Sequence, residues 1–285
     1  MIDEYDDEGR ELLIQIKIAR EFPKKLMTLG FIGTGEITSA IVTGLSSSDS
    51  DYSIQLSPRN LAIATALADR FPNVSVASSN QNVLDSCESI IIAVRPPIVR
   101  DVLSELRFRA DHHVISLVSG LSLQNASQLV APASRMTRAV PLPSVAKKIG
   151  PTAIYPSDAV VNDLFTAIGT VFEVESEDQF EVFCATTATM AFTYTFLDGI
   201  ASWLSRNNIS EEKARDYVAR MFYGLAQTAV DAPEQSFESL ARQHTTLGGI
   251  NEQFVKHMVE HGLLANVSGG LDAILKRIRS ASRGA

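Results

Sequence analysis

The fold is decided by residues 29–40, which read LGFIGTGEITSA. An apolar strand runs into Gly33, which permits a tight turn, and a helix follows the second glycine, Gly35. There the missing side chain lets a pyrophosphate approach the helix N-terminus, where backbone amide hydrogens are unpaired. Thr38 stands where a third glycine often lies, so the fingerprint is imperfect. The stretch predicts a dinucleotide-binding loop, with a ligand-free glycine turn as the alternative. Its predicted cofactor contacts are Gly33, Thr34, Gly35, Glu36 and Ile37.

Around this loop, from residue 27 to residue 175, short apolar strands alternate with helical stretches. Such alternation is typical of a mostly parallel sheet with helices on both faces. The predicted strands are residues 29–32, 53–56, 74–76, 89–94, 114–118, 134–139, 153–155 and 171–174. Helices are predicted after the first two strands, over residues 36–45 and 61–70. The pattern predicts an α/β domain of the Rossmann type, with a doubly wound sheet, over residues 27–175.

The pattern changes after residue 176, where helical periodicity continues without a convincing strand. The helices predicted there are residues 179–206, 211–231, 237–243, 250–261 and 264–279. The hydroxyl of Ser210 is expected to cap one of them, with two acids following at the positive end of the helix dipole. We therefore predict an all-helical C-terminal domain over residues 176–285. Residues 1–26 differ from this pattern and are predicted to be an N-terminal extension, or else to precede a natural start at Met27.

The end of the second strand bears on the choice of cofactor. An NAD enzyme usually has an acid about 20 residues beyond the glycine loop, which grips the ribose hydroxyls. Here the strand runs into Ser57-Pro58-Arg59-Asn60, without an acid. Ser57, Arg59 and Asn60 are predicted to hold a 2′-phosphate together, which favours NADP over NAD. The alternative for Arg59 is a solvated loop residue.

Composition disfavours several classes of function. The formal net charge of -8 at pH 7 is unsuited to a general affinity for nucleic acid or an anionic membrane. The sequence has no apolar run long enough for a membrane helix and no basic secretory signal, so we expect a cytoplasmic protein. Cys87 and Cys184 lie far apart and are expected to be buried, reduced thiols. No metal site is predicted, because His257 and His261 lack a third ligand nearby, and His112-His113 is interpreted as a turn before a strand.

Several segments together resemble the pyrroline-5-carboxylate reductase family. The opening motif of that family resembles residues 30–35, and its Ala-Val-Lys-Pro strand end is similar to Ala93-Val94-Arg95-Pro96. Residues 115–121 resemble its Ile-Ser-x-x-Ala-Gly-Ile/Val segment, and Arg138-Ala139-Val140-Pro141 the start of its Arg-x-Met-Pro-Asn-Thr-Pro motif. Residues 245–251 resemble its Ser-x-Pro-Gly-Gly-Thr-Thr loop. The resemblance covers residues 27–280, in order and at matching spacing.

The resemblance implies hydride transfer from NAD(P)H to the C=N bond of a small cyclic imine, giving L-proline from pyrroline-5-carboxylate in the type reaction. It also implies a homodimer or higher oligomer of helical domains. Beyond the glycine loop, the cofactor is expected to contact Val94, Arg95, Pro96, Ser119 and Gly120.

The substrate is expected at the glycine turn of residues 245–251. Gly248 and Gly249 would offer backbone amides to a carboxylate, next to Ile250. Thr246 and the side-chain amide of Asn251 would add donors, and Asn251 would touch the imine nitrogen. The alternative is a glycine turn that only caps the following helix.

The departures from the family pattern concentrate around the substrate. Leu142 replaces the asparagine and Ser144 the last proline of the Met-Pro-Asn-Thr-Pro motif, and Leu247 replaces the proline of the glycine turn. Residues 186–192 read TTATMAF where the family has Ser-Gly-Ser-Gly-Pro-Ala-Tyr. Two other functions stay open. One is a β-hydroxyacid-type NAD(P) dehydrogenase, which the absence of lysine from residues 180–203 weakens. The other is a non-catalytic NADP-binding sensor.

Overall fold

The structure, a computed structural model, describes residues 27–46 and 51–284. The predicted N-terminal extension, residues 1–26, lies outside the described residues. The chain divides into two compact units. The N-terminal unit runs to Glu181 and includes the chain end from Arg279, and the C-terminal unit is Val182–Ile278. The domain limits drawn from the sequence stay predictions.

The N-terminal unit is built on one sheet that, in the described residues, has eight strands in the order β3-β2-β1-β4-β5-β6-β7-β8. The strands are β1 (Met27–Ile32), β2 (Tyr52–Leu56), β3 (Val74–Val76), β4 (Ser89–Ile92), β5 (His113–Ser116), β6 (Arg135–Pro141), β7 (Gly150–Tyr155) and β8 (Gly169–Glu173). Neighbouring strands are parallel except β6 and β7, which are antiparallel. The order reverses direction between β1 and β4, which is the switch point where open α/β sheets bind ligands. The predicted mostly parallel, Rossmann-type sheet is confirmed.

Two apolar clusters cover the two faces of this sheet. One cluster contains Phe31, Ile54 and Ile91, and the other contains Ile32, Ile90 and Ile92. Adjacent residues of one strand thus point to opposite faces, as the pleat requires. Every residue of β4 is buried, which explains the apolar run of its last three residues, Ile90–Ile92.

Helices of the N-terminal unit pack on these two clusters. They are α1 (Glu36–Ser46), α2 (Leu61–Arg70), α3 (Asn80–Ser86), α4 (Val99–Ser104), α5 (Leu123–Leu129) and α6 (Ala159–Thr166). The first two were predicted from the sequence within one residue, but α3 to α6 were not. Each of those four has only six to eight residues, which is about two turns, so the helical period is weak in its sequence.

The remaining helices begin near the end of the N-terminal unit and continue through the C-terminal unit. They are α7 (Glu177–Thr186), α8 (Thr189–Arg206), α9 (Glu211–Asp231), α10 (Phe237–Gln243), α11 (Ile250–Glu260) and α12 (Leu263–Gly284). The helical character predicted for this half of the chain is confirmed.

The single helix predicted over residues 179–206 is wrong, because the chain breaks at Thr187 and Ala188 into α7 and α8. Threonine hydroxyls at the break bond to carbonyls three residues earlier, Thr186 to Phe183 at 2.7 Å and Thr187 to Cys184 at 2.8 Å. The backbone there makes the same tight i→i+3 bonds, since Thr187 N donates to Cys184 O at 3.2 Å. Local side-chain bonds of this kind compete with regular helix.

Two local expectations also need correction. Ser210 does stand at the start of α9, but its hydroxyl makes no capping bond, although Glu211 and Glu212 occupy the first turn as predicted. His113 is the buried first residue of β5 and not part of a turn, because β5 lies between β4 and β6.

Cys87 and Cys184 are both buried, as predicted. Among the described residues, no helix is long and apolar enough to cross a membrane.

Candidate active site

The loop between β1 and α1 has the backbone that a dinucleotide requires. Gly33 has a φ of +105°, and a side chain there would lie 2.5 Å from the carbonyl oxygen of Ala93. A Cβ at Gly35 would have no heavy atom within 4 Å, so the space beside it is open to a ligand. Glu36, the first residue of α1, is exposed. The N-terminus of α1 leaves backbone amides unpaired by geometry.

Three hydroxyl groups hold this loop in place. Thr38, in the position of the missing third glycine, is fully buried and donates its hydroxyl to Gly33 O at 2.8 Å. Ser57 is also fully buried, and its Oγ accepts a hydrogen bond from Gly33 N at 2.9 Å. Thr34 Oγ1 donates to Ser57 O at 2.9 Å. The polar atoms of Ser57 therefore face the glycine loop.

The hydroxyl of Ser57 is thus engaged within the protein by Gly33 N, and its expected contact with a 2′-phosphate stays a prediction. Arg59 and Asn60 differ from it, because both are exposed in the short 3₁₀ turn Pro58–Asn60 that follows β2. A guanidinium and an amide at the end of β2 suit a phosphate on the adenosine ribose. The sequence could not separate the three residues, because burial of Ser57 depends on contacts with residues more than 20 positions away.

The remaining predicted cofactor residues lie on the same edge of the sheet. The register pairs Ile32 with Ile92 and Ile92 with Ser116, so β1, β4 and β5 end in one row. The segments that follow these strands contain Val94, Arg95, Pro96, Ser119 and Gly120. Arg95, Pro96 and Ser119 are exposed, and Gly120 has a φ of +73°. The structure thus brings the predicted cofactor residues of three loops together.

An ion pair between a buried arginine and a partly exposed glutamate was not predicted from the sequence. Arg138 of β6 is fully buried, and its Nη1 lies 2.6 Å from Glu177 Oε1. Its guanidinium carbon also stands 4.5 Å from the centre of the Phe180 ring. The sequence did contain a hint of this pair, because Arg138 lies in a predicted inner strand. A buried arginine rarely lacks a charged partner.

The proposed substrate turn lies in the C-terminal unit, between α10 and α11. Gly248 has a φ of +74°, and Gly249 N donates to Thr246 O at 2.8 Å, so the turn is tight. Gly248 N donates to Glu252 Oε2 at 2.7 Å. Asn251 Nδ2 donates to His244 O at 2.8 Å.

Three of the predicted donors are therefore engaged within this chain: the amides of Gly248 and Gly249 and the side-chain amide of Asn251. Glu252, which the sequence analysis did not single out, places a carboxylate on the Gly248 amide. Thr246 and Ile250 are exposed, and Leu247 is 97% exposed. An imine carboxylate would have to replace the Glu252 contact in order to use the Gly248 amide.

The described residues contain no cluster of three or more histidine, cysteine, aspartate or glutamate residues suited to a metal ion. The rings of His257 and His261 contact each other at an interplanar angle of 35°, with centroids 4.2 Å apart.

Two protein families match this chain, one over each half. The family described as "NADP oxidoreductase coenzyme F420-dependent" matches residues 28–120. The family described as "Pyrroline-5-carboxylate reductase dimerisation" matches residues 177–281. The first match contains the glycine loop and both neighbouring cofactor segments, and the second contains the turn of residues 245–251.

Individual relatives cover most of the chain at low identity. A pyrroline-5-carboxylate reductase of Pasteurella multocida is 24% identical over 259 residues, which are 83% of this chain and 94% of the relative. The crystal structure of 1-pyrroline-5-carboxylate reductase from Streptococcus pyogenes is similar with a TM-score of 0.78 and 25% identity, covering 89% of this chain and 98% of that one. The Plasmodium falciparum pyrroline carboxylate reductase with NADP bound has a TM-score of 0.77 at 19% identity, covering 90% and 99%.

Proposed function

The chain belongs to the pyrroline-5-carboxylate reductase family, and from this premise we propose that it is an NADP-dependent reductase of a small cyclic imine. The type reaction converts pyrroline-5-carboxylate to L-proline. The observation that carries the proposal is the glycine loop, with Gly33 in the left-handed region and open space beside Gly35, in a chain whose second half matches the reductase dimerisation family.

The cofactor residues fit NADP along one edge of the sheet. The turn at Gly33 and the amides of residues 34–37 suit a pyrophosphate, and Arg59 with Asn60 suits a phosphate on the adenosine ribose. Strands β4 and β5 lie on the other side of β1 from β2, so the nicotinamide end belongs over the segments that contain Val94, Arg95, Pro96, Ser119 and Gly120. When bound, NADPH supplies the hydride for the imine carbon.

The chain's own contribution is then to bind, orient and shield the imine. A protonated imine is already electrophilic, so a strong general acid is not required. We assign Thr246, Gly248, Gly249, Ile250 and Asn251 to the substrate, with Asn251 placed to donate to the imine nitrogen or to hold it in position. This assignment rests on the resemblance of the turn to the family loop, and it requires Asn251 to exchange its bond with His244 O for one with the substrate.

We also propose that the helical half assembles into a homodimer or higher oligomer. The hydrophobic residues buried between residues 182 and 278 are only Cys184, Ala185, Ala214, Val218 and Ile278. The same stretch exposes large apolar side chains, among them Tyr194 at 75% and Phe237 at 83%. Apolar surface on this scale is typical of an interface that another subunit covers.

The domain plan is part of the same proposal. Residues 27–175 form the cofactor domain, and residues 176–285 form the dimerisation and substrate domain. We place the protein in the cytoplasm, where the buried thiols of Cys87 and Cys184 would stay reduced.

Purified protein tests the function when NADPH oxidation is followed by absorbance with pyrroline-5-carboxylate, and proline is identified by chromatography. We expect turnover with NADPH that exceeds turnover with NADH. An Asn251→Ala variant should lose turnover and keep NADPH affinity, while Asn266→Ala, an exposed asparagine of α12, should change neither. Tight NADPH binding without reduction of any cyclic imine would instead indicate a sensor.

A further inference from the structure

Glu177, the first residue of α7, receives two short hydrogen bonds on one oxygen. Arg138 Nη1 of β6 donates to Glu177 Oε1 at 2.6 Å, and Leu123 N, the first amide of α5, donates to the same atom at 2.6 Å. One carboxylate therefore joins a strand of the sheet to the start of a helix 54 positions away in the sequence. Bonds to an ionised acceptor are stronger than neutral ones.

Arg138 fixes the charge and position of this carboxylate. The arginine is fully buried, and its Nε and Nη2 have no hydrogen-bond partner among the described residues. Phe180 contributes its ring face to the cation, and Glu177 is the acid that Arg138 contacts in the described part of the chain. A buried cation without its acid would be strongly unfavourable, so the pair holds Glu177 in place.

Leu123 is close in sequence to the predicted nicotinamide segment. Strand β5 ends at Ser116 and α5 begins at Leu123. Ser119 and Gly120 lie in the short segment between them. The segment is held at its beginning by the bond from Leu117 N to Ile92 O at 2.9 Å. At its end, Ser122 caps α5 by accepting from Asn125 N, and Glu177 holds Leu123 N.

We propose that Glu177 is a positioning residue: held by Arg138, it fixes the start of α5 and thereby the Ser119–Gly120 segment against the nicotinamide end of the cofactor. The inference rests on the proposed NADP-dependent function. Because the order of the strands places β2 and β5 on opposite sides of β1, Glu177 should affect the nicotinamide end and leave the adenosine end unchanged.

The test compares two ligands by calorimetric titration of the full chain. NADP⁺ spans both ends of the site, while adenosine 2′,5′-bisphosphate lacks the nicotinamide. For Glu177→Ala we expect the Kd of NADP⁺ to rise about tenfold and that of the bisphosphate to change less than about twofold. Asp178→Asn is the matched control, since Asp178 is the exposed neighbour and contacts Arg279 at 3.4 Å.

Hydrogen exchange gives a readout that is independent of ligand. Glu177→Ala should speed amide exchange in residues 117–123, and Asp178→Asn should not. If the alanine variant does not fold, two double variants replace it: Arg138→Met with Glu177→Gln, and Arg138→Met with Glu177→Ala. Both lack the buried charge of Arg138. Within that pair only the glutamine keeps an acceptor for Leu123 N, so it alone should keep NADP⁺ affinity.

Equal weakening of NADP⁺ and the bisphosphate, or unchanged exchange in residues 117–123, would overturn the positioning role while leaving the reductase function intact. Failure of the wild-type chain to bind NADP⁺ would instead remove the proposed function, and the inference with it.

Discussion

The hydroxyl of Ser57 offers the clearest test of how the cofactor loop is held. The substitution Ser57→Ala removes one oxygen and adds no atom, so it creates no steric conflict. It deletes the acceptor of Gly33 N, 2.9 Å away, and the 3.3 Å contact with Thr34 Oγ1. Thr34 keeps its bond to Ser57 O, since that acceptor belongs to the backbone.

The expected cost follows from the burial of the site. Ser57 is 0% exposed, so water cannot readily replace its hydroxyl beside the Gly33 amide. An amide left without its acceptor in such a place costs about 1–3 kcal/mol. We therefore expect the free energy of unfolding to fall by about this amount. The Kd for NADPH should rise several-fold, because the loop no longer holds its binding conformation when free.

Urea unfolding of the purified protein measures the first effect, and quenching of protein fluorescence by NADPH measures the second. Ser53→Ala is the matched control, since Ser53 is an exposed serine on β2, the strand that precedes Ser57. The control should leave both quantities within about 0.5 kcal/mol of wild type. If Ser57→Ala leaves both stability and NADPH affinity unchanged, the hydroxyl does not hold the loop. If affinity falls for NADPH but not for NADH, Ser57 contacts the 2′-phosphate after all.

Three further substitutions or conditions test other parts of the account. Arg59→Ala should raise the Kd of NADPH about tenfold and leave that of NADH nearly unchanged, because a charge-assisted bond to phosphate is lost; equal losses in fluorescence titrations would contradict the assignment. Glu252→Gln removes the negative charge from the Gly248 amide. It should lower the KM for pyrroline-5-carboxylate several-fold while leaving the KM for the carboxylate-free imine 1-pyrroline unchanged, with Glu260→Gln at the other end of α11 as control. Burial lowers the pKa of His112 below its usual 6.5, and its ring accepts from Arg109 N and bonds Leu84 O. The folded state therefore favours the neutral ring. Above pH 6.5 His112 has no effect on the free energy of unfolding. As the pH falls from 6.5 toward the folded-state pKa, His112 lowers the free energy of unfolding, because the unfolded state takes up the proton more readily. Urea unfolding measures the loss of unfolding free energy between pH 7.5 and pH 5.5, which should be smaller in His112→Gln than in wild type. An equal loss in both proteins would show that His112 does not cause this pH dependence.

The parts of the fold that the sequence predicted are those with a strong local signal. The strand before Gly33 and the strand Ser89–Ile92 are mostly apolar, and α9 spans 21 residues, enough to repeat its period several times. Helices of six to eight residues carry little such repetition, and of these only α10 was predicted. The break at Thr187 was missed because hydroxyl–carbonyl bonds and helical periodicity compete within the same few residues.

The parts of the candidate site that the sequence missed depend on long-range contacts. Ser57 and Arg59 are two positions apart and look equally polar, yet only folding against Gly33 buries the first. Arg138 and Glu177 are 39 positions apart, so their pairing is visible only once the sheet and α7 are assembled. Glu252 acts through the conformation of a glycine turn, which a motif alone does not specify.

Hydride transfer to a C=N bond is the central claim, and isotope transfer tests it most directly. NADPH that carries deuterium at the transferable position of its nicotinamide is incubated with the purified protein and pyrroline-5-carboxylate. The account predicts proline that has gained one deuterium at the former imine carbon, detected by mass spectrometry. Formation of no deuterated product from this or any other cyclic imine, while NADPH still binds, would contradict it.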